Sequence, residues 1–178
     1  MPDRVKMRPT DADGFREAWE IVEQLWAGTV DRARTFTPEQ LNESVDGEWS
    51  FVQTLRHLAY ATDCWVNRVL LGDPLPFHPL DLPFDGAEPH PDVSLDLAAR
   101  PSLDEVLELR ADRMATVRRV LDELTEDRLA EQTQPVEGPS WPPSDSYPVK
   151  EALLTVLNEE WQHRLYAERD LDVIEGRS

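Results

Sequence analysis

Four separate stretches of this chain carry apolar residues at every third or fourth position, which is the pattern of a helix with one buried face. These stretches run from Phe15 to Ala33, from Phe51 to Val69, from Leu103 to Leu124 and from Val149 to Ile174. No stretch alternates apolar and polar residues for long enough to predict a sheet. The sequence therefore predicts an all-α four-helix bundle. At 178 residues, we expect one domain that spans residues 1–178.

Helix start signals agree with the apolar pattern. Ser50 with Gln53, and Ser102 with Glu105, have the spacing of capping boxes at the starts of the second and third helices. The segment Thr37-Pro38-Glu39 predicts a capped single turn of helix between the first two helices. Two independent signals, periodicity and capping, thus place the helices in the same positions.

The second and third helices are joined by a long proline-rich segment between Gly72 and Pro101. It contains six prolines between positions 74 and 91 and has no sustained period, so we expect an ordered or semi-ordered crossover rather than a helix. A crossover of this length allows the second and third helices to run parallel.

The charge of the chain excludes some partners. Its 36 acidic residues against 18 Lys and Arg give a net charge of −18, which repels phosphate backbones and anionic lipid heads. We therefore expect neither a nucleic acid nor a membrane as partner. The charge says little about the substrate, which we expect to be a small molecule. The single cysteine, Cys64, suits a reducing compartment, and the first ten residues contain no apolar run typical of a signal peptide. These features favour a cytoplasmic protein.

Two of the four histidines lie on predicted helices. His57 lies at the edge of the apolar face of the second helix, whereas His163 falls within the buried arc of the fourth. Glu160 lies near the centre of that arc and Glu159 at its edge. Arg110 falls inside the apolar face of the third helix and needs a carboxylate partner, because an unpaired buried charge is costly.

Two interpretations of these residues are open. In the first, His163 is a hydrogen-bonded core histidine and Glu160 pairs with Arg110. In the second, Glu159 and His163, four residues apart on one helix face, hold a divalent cation together with His57 on a facing helix. Two nitrogens and one carboxylate leave a coordination position open, as in catalytic metal sites.

Two segments resemble the signatures of a known family. The runs Gly47-Glu48-Trp49-Ser50, Thr54-Leu55-Arg56-His57-Leu58 and Ala61-Thr62-Asp63-Cys64-Trp65 resemble the second helix of the DinB-like superfamily. The run Leu157-Asn158-Glu159-Glu160-Trp161-Gln162-His163-Arg164 resembles its last helix. The similarity is closest to the actinobacterial-type branch, which is related to mycothiol-dependent maleylpyruvate isomerases.

The resemblance implies an up-down-down-up bundle with one divalent metal, usually zinc or nickel. The family ligands are a histidine on the second helix, matched by His57, and a His-x3-His pair on the last helix, of which His163 matches the second member. Glu159 occupies the position of the other histidine and can replace it as a ligand. Helix periodicity favours Glu160 as the inward carboxylate, which keeps it as an alternative or supporting ligand.

The resemblance also implies a class of chemistry. Related proteins are thiol-dependent transferases or isomerases that activate a low-molecular-weight thiol such as mycothiol or bacillithiol. We therefore expect a metal-dependent thiol S-transferase, or a hydrolase in which Glu160 acts as base beside a metal-bound water. The alternative is a non-catalytic scaffold or stress-associated binding protein that has lost the metal, which the glutamate at position 159 keeps open.

Several apolar side chains fall outside the predicted core. Trp49, Trp141 and Trp161 are candidates for a pocket wall or a partner surface, or for packing beneath loops. Leu70 and Leu71 join Trp161 as apolar patches that could support a homodimer.

Overall fold

A computed structural model describes residues 2–177 of the chain, and these residues form helices and loops without a β-strand. The all-α prediction is confirmed. The helices are α1 (Pro2–Lys6), α2 (Ala12–Ala33), α3 (Pro38–Leu41), α4 (Phe51–Thr62) with a π-helical continuation (Asp63–Leu70), α5 (Leu103–Asp122), α6 (Glu126–Leu129) and α7 (Val149–Gly176).

The capping predictions are confirmed by hydrogen bonds at the helix starts. Ser50 accepts from the backbone N–H of Gln53, whose side chain accepts from the backbone N–H of Ser50. Ser102 and Glu105 make the same reciprocal pair before α5. The single turn predicted at Thr37 is α3. Helices α1 and α6 are too short to show an apolar stripe and are new features of the structure.

The four long helices share one core. α2 and α4 each pack against both α5 and α7, and the side chains of Phe15 and Trp19 lie fully buried between them. Within residues 2–177, no helix combines the length and the apolar character needed to span a lipid bilayer.

The second long helix changes its geometry partway along. After Thr62 it continues as the π-helical segment, in which the N–H of Leu71 donates to the carbonyl of Val66 at 2.9 Å. Wider turns of this kind are rare and occur frequently at functional sites. Here the segment carries two fully buried charged residues, Asp63 and Arg68.

Two buried arginines attach two proline-rich loops to the bundle. One loop is the crossover between Gly72 and Pro101, and the other is the loop of residues 130–148 before α7. Arg56 on α4 donates to three backbone carbonyls of the proline-rich crossover, those of Leu80, Asp96 and Ala99, at 2.6 to 2.9 Å. Arg68 donates to carbonyls of both loops, at Pro74, Val136, Glu137, Gly138 and Pro142. Both guanidiniums are 1% exposed. The crossover contains no helix, as predicted, and it is ordered by these contacts.

The apolar patch predicted for a homodimer is only partly exposed. Leu71 is exposed, but Leu70 is half-buried against the core and Trp161 is 7% exposed. The prediction that Trp161 forms a surface patch is wrong, because its indole packs into the core cluster.

Candidate metal centre

Three side chains from two helices converge at one point. His57 projects from α4, while Glu159 and His163 lie one turn apart on α7. The Nε2 atoms of His57 and His163 each lie 3.1 Å from the same atom, Oε2 of Glu159. One ligand atom from each residue falls within 4.8 Å of the other two. Among residues 2–177 this is the one cluster of three or more His, Cys, Asp or Glu with the geometry to hold a metal.

The spacing of these atoms suits a small divalent cation. Zinc binds imidazole nitrogen and carboxylate oxygen at about 2.0–2.2 Å, so two ligand atoms of a tetrahedral site lie roughly 3.3 Å apart. The two nitrogen–oxygen distances of 3.1 Å are close to this distance between two ligand atoms. The three ligand atoms all lie within 4.8 Å of one another, so a metal ion between them requires the two imidazoles to move toward each other.

The imidazole of His57 is held in one orientation. Its Nδ1 lies 3.0 Å from the backbone carbonyl of Leu82 in the crossover, and a carbonyl can only accept. Nδ1 must therefore carry the proton and donate it, so in the neutral ring Nε2 presents its lone pair toward Glu159. Metal-binding histidines are commonly oriented by this kind of hydrogen bond.

The cluster lacks a positive charge of its own when the imidazoles are neutral. The lone pair of His57 Nε2 then faces the carboxylate oxygen of Glu159 at 3.1 Å, and two acceptors repel each other. Burial raises the pKa of Glu159, but hydrogen bonds from His163, and from His57 when its ring is protonated, outweigh burial and lower that pKa to about 2. The site thus favours an ionised carboxylate beside a positive charge, supplied by protonated imidazole or by a metal ion.

The neighbouring carboxylate is excluded from this cluster. Both oxygens of Glu160 accept hydrogen bonds from the guanidinium of Arg110, at 2.7 and 2.8 Å. The two side chains are 2% and 3% exposed. Glu160 is therefore not an alternative ligand or a free base, and this part of the prediction is wrong. The ion pair between Glu160 and Arg110, expected from the first interpretation, is confirmed.

Aromatic rings border the metal cluster. The ring of Trp49 lies 4.4 Å from that of His57 and 5.9 Å from that of His163, and Tyr166 meets His163 edge-on at 5.8 Å. His57 is buried, whereas 29% of the Glu159 side chain is exposed. The cluster therefore opens to solvent on the α7 side, between rings that can contact a bound molecule.

Trp49 reaches this position through the turn before α4. Asp46 and Gly47 both have positive φ, 53° and 75°, and Glu48 forms an ion pair with Arg169 on α7. The tight turn and the ion pair hold the indole over the two imidazoles. Sequence reasoning named Trp49 as a candidate for a pocket wall or a partner surface, or for packing beneath loops, and the structure places its ring against the two imidazoles. Sequence reasoning missed Leu82, because a backbone carbonyl carries no signal in a sequence pattern.

Comparison with known proteins agrees with this site. No curated protein and no solved structure shows significant similarity to the chain. The family model of the DinB superfamily matches residues 21–167, which include all three residues of the cluster. Because the match covers most of the chain, this protein belongs to the DinB superfamily.

Proposed function

We propose that this protein binds one divalent metal ion, zinc or nickel, through Nε2 of His57, a carboxylate oxygen of Glu159 and Nε2 of His163. The observation that carries the proposal is the convergence of three ligand atoms within 4.8 Å, with the tautomer of His57 fixed by the carbonyl of Leu82. Three protein ligands leave a coordination position for an exchangeable molecule.

We further propose that the bound metal activates a low-molecular-weight thiol for transfer to an electrophile. A metal held by His57, Glu159 and His163 would lower the pKa of a bound thiol, whose proton would pass to solvent. The thiolate sulfur would then form a bond to a carbon of the electrophile while the leaving group on that carbon departs with its bonding electrons. The partial exposure of Glu159 and His163 supports access of a thiol from solvent. Cys64 is buried, and burial raises the pKa of its thiol, so it does not supply the nucleophile.

The environment of Glu160 argues against one form of the hydrolase hypothesis. Both oxygens of Glu160 accept hydrogen bonds from Arg110, so this carboxylate is not free to act as a base beside a metal-bound water. A divalent metal lowers the pKa of bound water as well as that of a bound thiol, so a hydrolase that does not use Glu160 is the second candidate function.

The metal proposal is tested by elemental analysis of protein purified without chelator and then incubated with zinc or nickel. We expect one metal ion per chain. The His163→Ala variant should bind metal more than about 100-fold more weakly, since changes outside the ligand set alone cost 10- to 100-fold. Its helical circular dichroism should remain.

The matched control is His90→Ala, which removes an exposed histidine of the crossover and should leave the metal content unchanged. Wild-type protein that takes up no zinc or nickel contradicts the proposal. A His163→Ala variant that binds metal as tightly as wild type also contradicts it. If neither protein binds metal and His163→Ala is destabilised only as an ordinary core variant is, the scaffold interpretation is favoured.

We also propose the up-down-down-up course of the four long helices within one domain. Thr29 and Arg32 of α2 contact Glu168 and Glu175 of α7 in the same order along both helices, which supports a parallel pair. Two contacts support α4 antiparallel to α7, because His57 meets Glu159 whereas the later Trp65 meets Tyr147, just before α7.

The placement of α5 is supported in the same way. Arg34, which follows α2, pairs with Asp104 at the start of α5, whereas Arg16 near the start of α2 donates to the carbonyl of Leu121 near the end of α5. α2 and α5 are then antiparallel. An experimental structure tests this course of the chain directly.

A further inference from the structure

A cavity lies between the two proline-rich loops. It encloses about 300 Å³ and is bounded by the crossover, by residues 139–141 of the loop before α7, and by Tyr60 of α4. The ring of Tyr60 stacks on Phe77 at 5.5 Å and forms the inner wall. A volume of this size is at the lower end of the range for small-molecule sites.

This cavity and the metal cluster have no residue in common. The imidazole of His57 directs Nε2 to Glu159 and Nδ1 to the carbonyl of Leu82, and these two ring atoms point in different directions. The residue after Leu82, Pro83, lines the cavity, whereas none of the three metal-cluster residues does. A molecule in the cavity is therefore distinct from one in the open coordination position.

The mouth of the cavity presents two large aromatic side chains. Phe84 of the crossover and Trp141 of the other loop meet edge-on at 5.6 Å, although they are 43% and 45% exposed. Exposed aromatic rings beside a cavity offer faces and edges to a planar ligand. Prolines at 83, 89 and 139 add further apolar wall.

The loops that form the cavity are fixed in place. The eight carbonyls that accept hydrogen bonds from Arg56 and Arg68 all belong to these two loops. Buried guanidiniums are costly unless their donors are satisfied, so any large movement of these loops is opposed. The cavity is thus formed before a ligand binds, and binding costs little ordering of the chain.

The polar groups of the cavity select the charge of a ligand. Glu88 lines it, and no Lys or Arg from residues 2–177 does so. His90 also lines it, with Asp92 3.6 Å from its Nδ1. A negatively charged ligand therefore meets the carboxylate of Glu88 without a Lys or Arg to compensate it, whereas a neutral or positively charged ligand is not repelled.

We propose that this cavity is a binding site for a planar aromatic molecule that is neutral or positively charged, held between the aromatic pair Phe84 and Trp141 and the inner wall formed by Tyr60 and Phe77. The site is separate from the metal centre, and its occupancy does not require a metal.

Three naphthalene probes of equal ring size test the proposal: 2-naphthalenemethanol, the 2-naphthylmethylammonium ion and 2-naphthoate. Binding to the metal-free full chain is followed through the indole N–H signal of Trp141 in NMR, which is assigned by its absence in Trp141→Ala. We expect saturable shifts with the neutral and cationic probes. Phe84→Ala should weaken binding roughly 3- to 10-fold, the value of one aromatic pair.

Two further variants separate the cavity from general surface binding. Leu97→Ala removes an apolar side chain of similar exposure from the same loop but outside the cavity, and should leave binding unchanged. Glu88→Gln should strengthen binding of 2-naphthoate while leaving the neutral probe unaffected.

Several results would overturn the proposal. They are the absence of saturable binding, equal affinity of wild type for the anionic and neutral probes, and equal weakening by Phe84→Ala and Leu97→Ala. Metal uptake measured on the same samples keeps the two proposals apart. Normal zinc binding without naphthalene binding overturns this inference alone.

Discussion

Two glutamates that are adjacent in the sequence of α7 have opposite electrostatic surroundings. Glu160 faces α5, where the guanidinium of Arg110 satisfies both of its oxygens. Glu159 faces α4, and one of its oxygens lies beside two imidazoles, that of His57 on α4 and that of His163 one turn along α7. The first carboxylate has a permanent positive partner within the fold. The second has one only when an imidazole is protonated or a cation binds.

This difference in charged partners distinguishes a structural carboxylate, that of Glu160, from a candidate metal ligand, that of Glu159. A buried carboxylate that is paired with arginine is charge-balanced at every ordinary pH, since arginine does not lose its proton. A carboxylate among histidines has no such permanent partner, because a neutral imidazole carries no positive charge. Burial alone does not identify the functional residue, since Glu160 is the more buried of the two.

A third group of buried acids follows the same rule as Glu160. Asp63 and Asp81 are fully buried near Arg113, which supplies one positive charge at 2.9 Å from Asp63. Burial and the neighbouring Asp63 raise the pKa of Asp81 well above its usual range, so one carboxyl keeps its proton. This group balances its charge with an arginine and a proton, and needs no metal.

The largest expected effect comes from breaking the structural pair. Arg110→Ala leaves the carboxylate of Glu160 buried without a partner and should lower the free energy of unfolding by about 3–5 kcal/mol. In a chain of this size the melting temperature should fall by roughly 10 °C. Differential scanning calorimetry measures the change, and zinc stoichiometry of the folded fraction should stay as in wild type.

A double variant controls for the loss of packing. Arg110→Met with Glu160→Leu replaces the pair by apolar groups and should recover most of the lost stability. If Arg110→Ala instead abolishes zinc binding in folded protein, the separation between the two glutamates is wrong.

The sequence predicted the helices well because their signals are local. The capping boxes at Ser50 and Ser102 involve residues three positions apart, so they are visible without knowledge of the fold. The π-helical segment could not be predicted, since an apolar stripe does not reveal one extra residue per turn. Nor could the loop contacts of Arg56 and Arg68, which are with backbone carbonyls distant in the sequence.

For the site, periodicity and family spacing each identified one glutamate correctly. Periodicity found that Glu160 points inward, and the structure places it in the core with Arg110. The spacing of the family motif selected Glu159, which the structure brings to His57 and His163. What could not be derived was the division of roles, because it depends on which helix faces each residue.

A smaller change in the free energy of unfolding is expected when zinc binds to His57, Glu159 and His163. Zinc at about 100 times its dissociation constant should raise the free energy of unfolding by about 2.7 kcal/mol. Glu159→Gln should remove most of this gain, because an amide is a poorer metal ligand than a carboxylate. Thermal unfolding with and without zinc measures it, and Glu151→Gln, an exposed change on the same helix, should behave as wild type. A full zinc response in Glu159→Gln argues against this residue as a ligand.

At acid pH, the metal-free protein should show how much the ionised carboxylate of Glu159 contributes to stability. Its pKa in the folded chain, about 2, lies below the ordinary 4.5, so its ionised form contributes stability that is present above pH 4.5 and lost as the pH falls toward 2. Metal-free wild type should therefore lose stability relative to Glu159→Gln across that interval. Urea unfolding at a series of pH values measures the difference. Parallel curves for the two proteins would mean that the imidazoles do not hold this carboxylate ionised.

The smallest change restores the histidine that the family motif has at position 159. Glu159→His gives three imidazoles, which keep the open coordination position but remove the negative ligand. We expect zinc binding to remain, with relative affinity shifted toward nickel and copper, since imidazole suits these metals. Competition titrations with paired metals measure the shift. The metal-free variant should lose the stability that ionised Glu159 contributes but remain folded, because the pair of Glu160 and Arg110 is untouched. If Glu159→His binds neither zinc nor nickel while remaining folded, the arrangement of α4 against α7 is specific to a carboxylate, and the site differs from that of its family in more than one ligand.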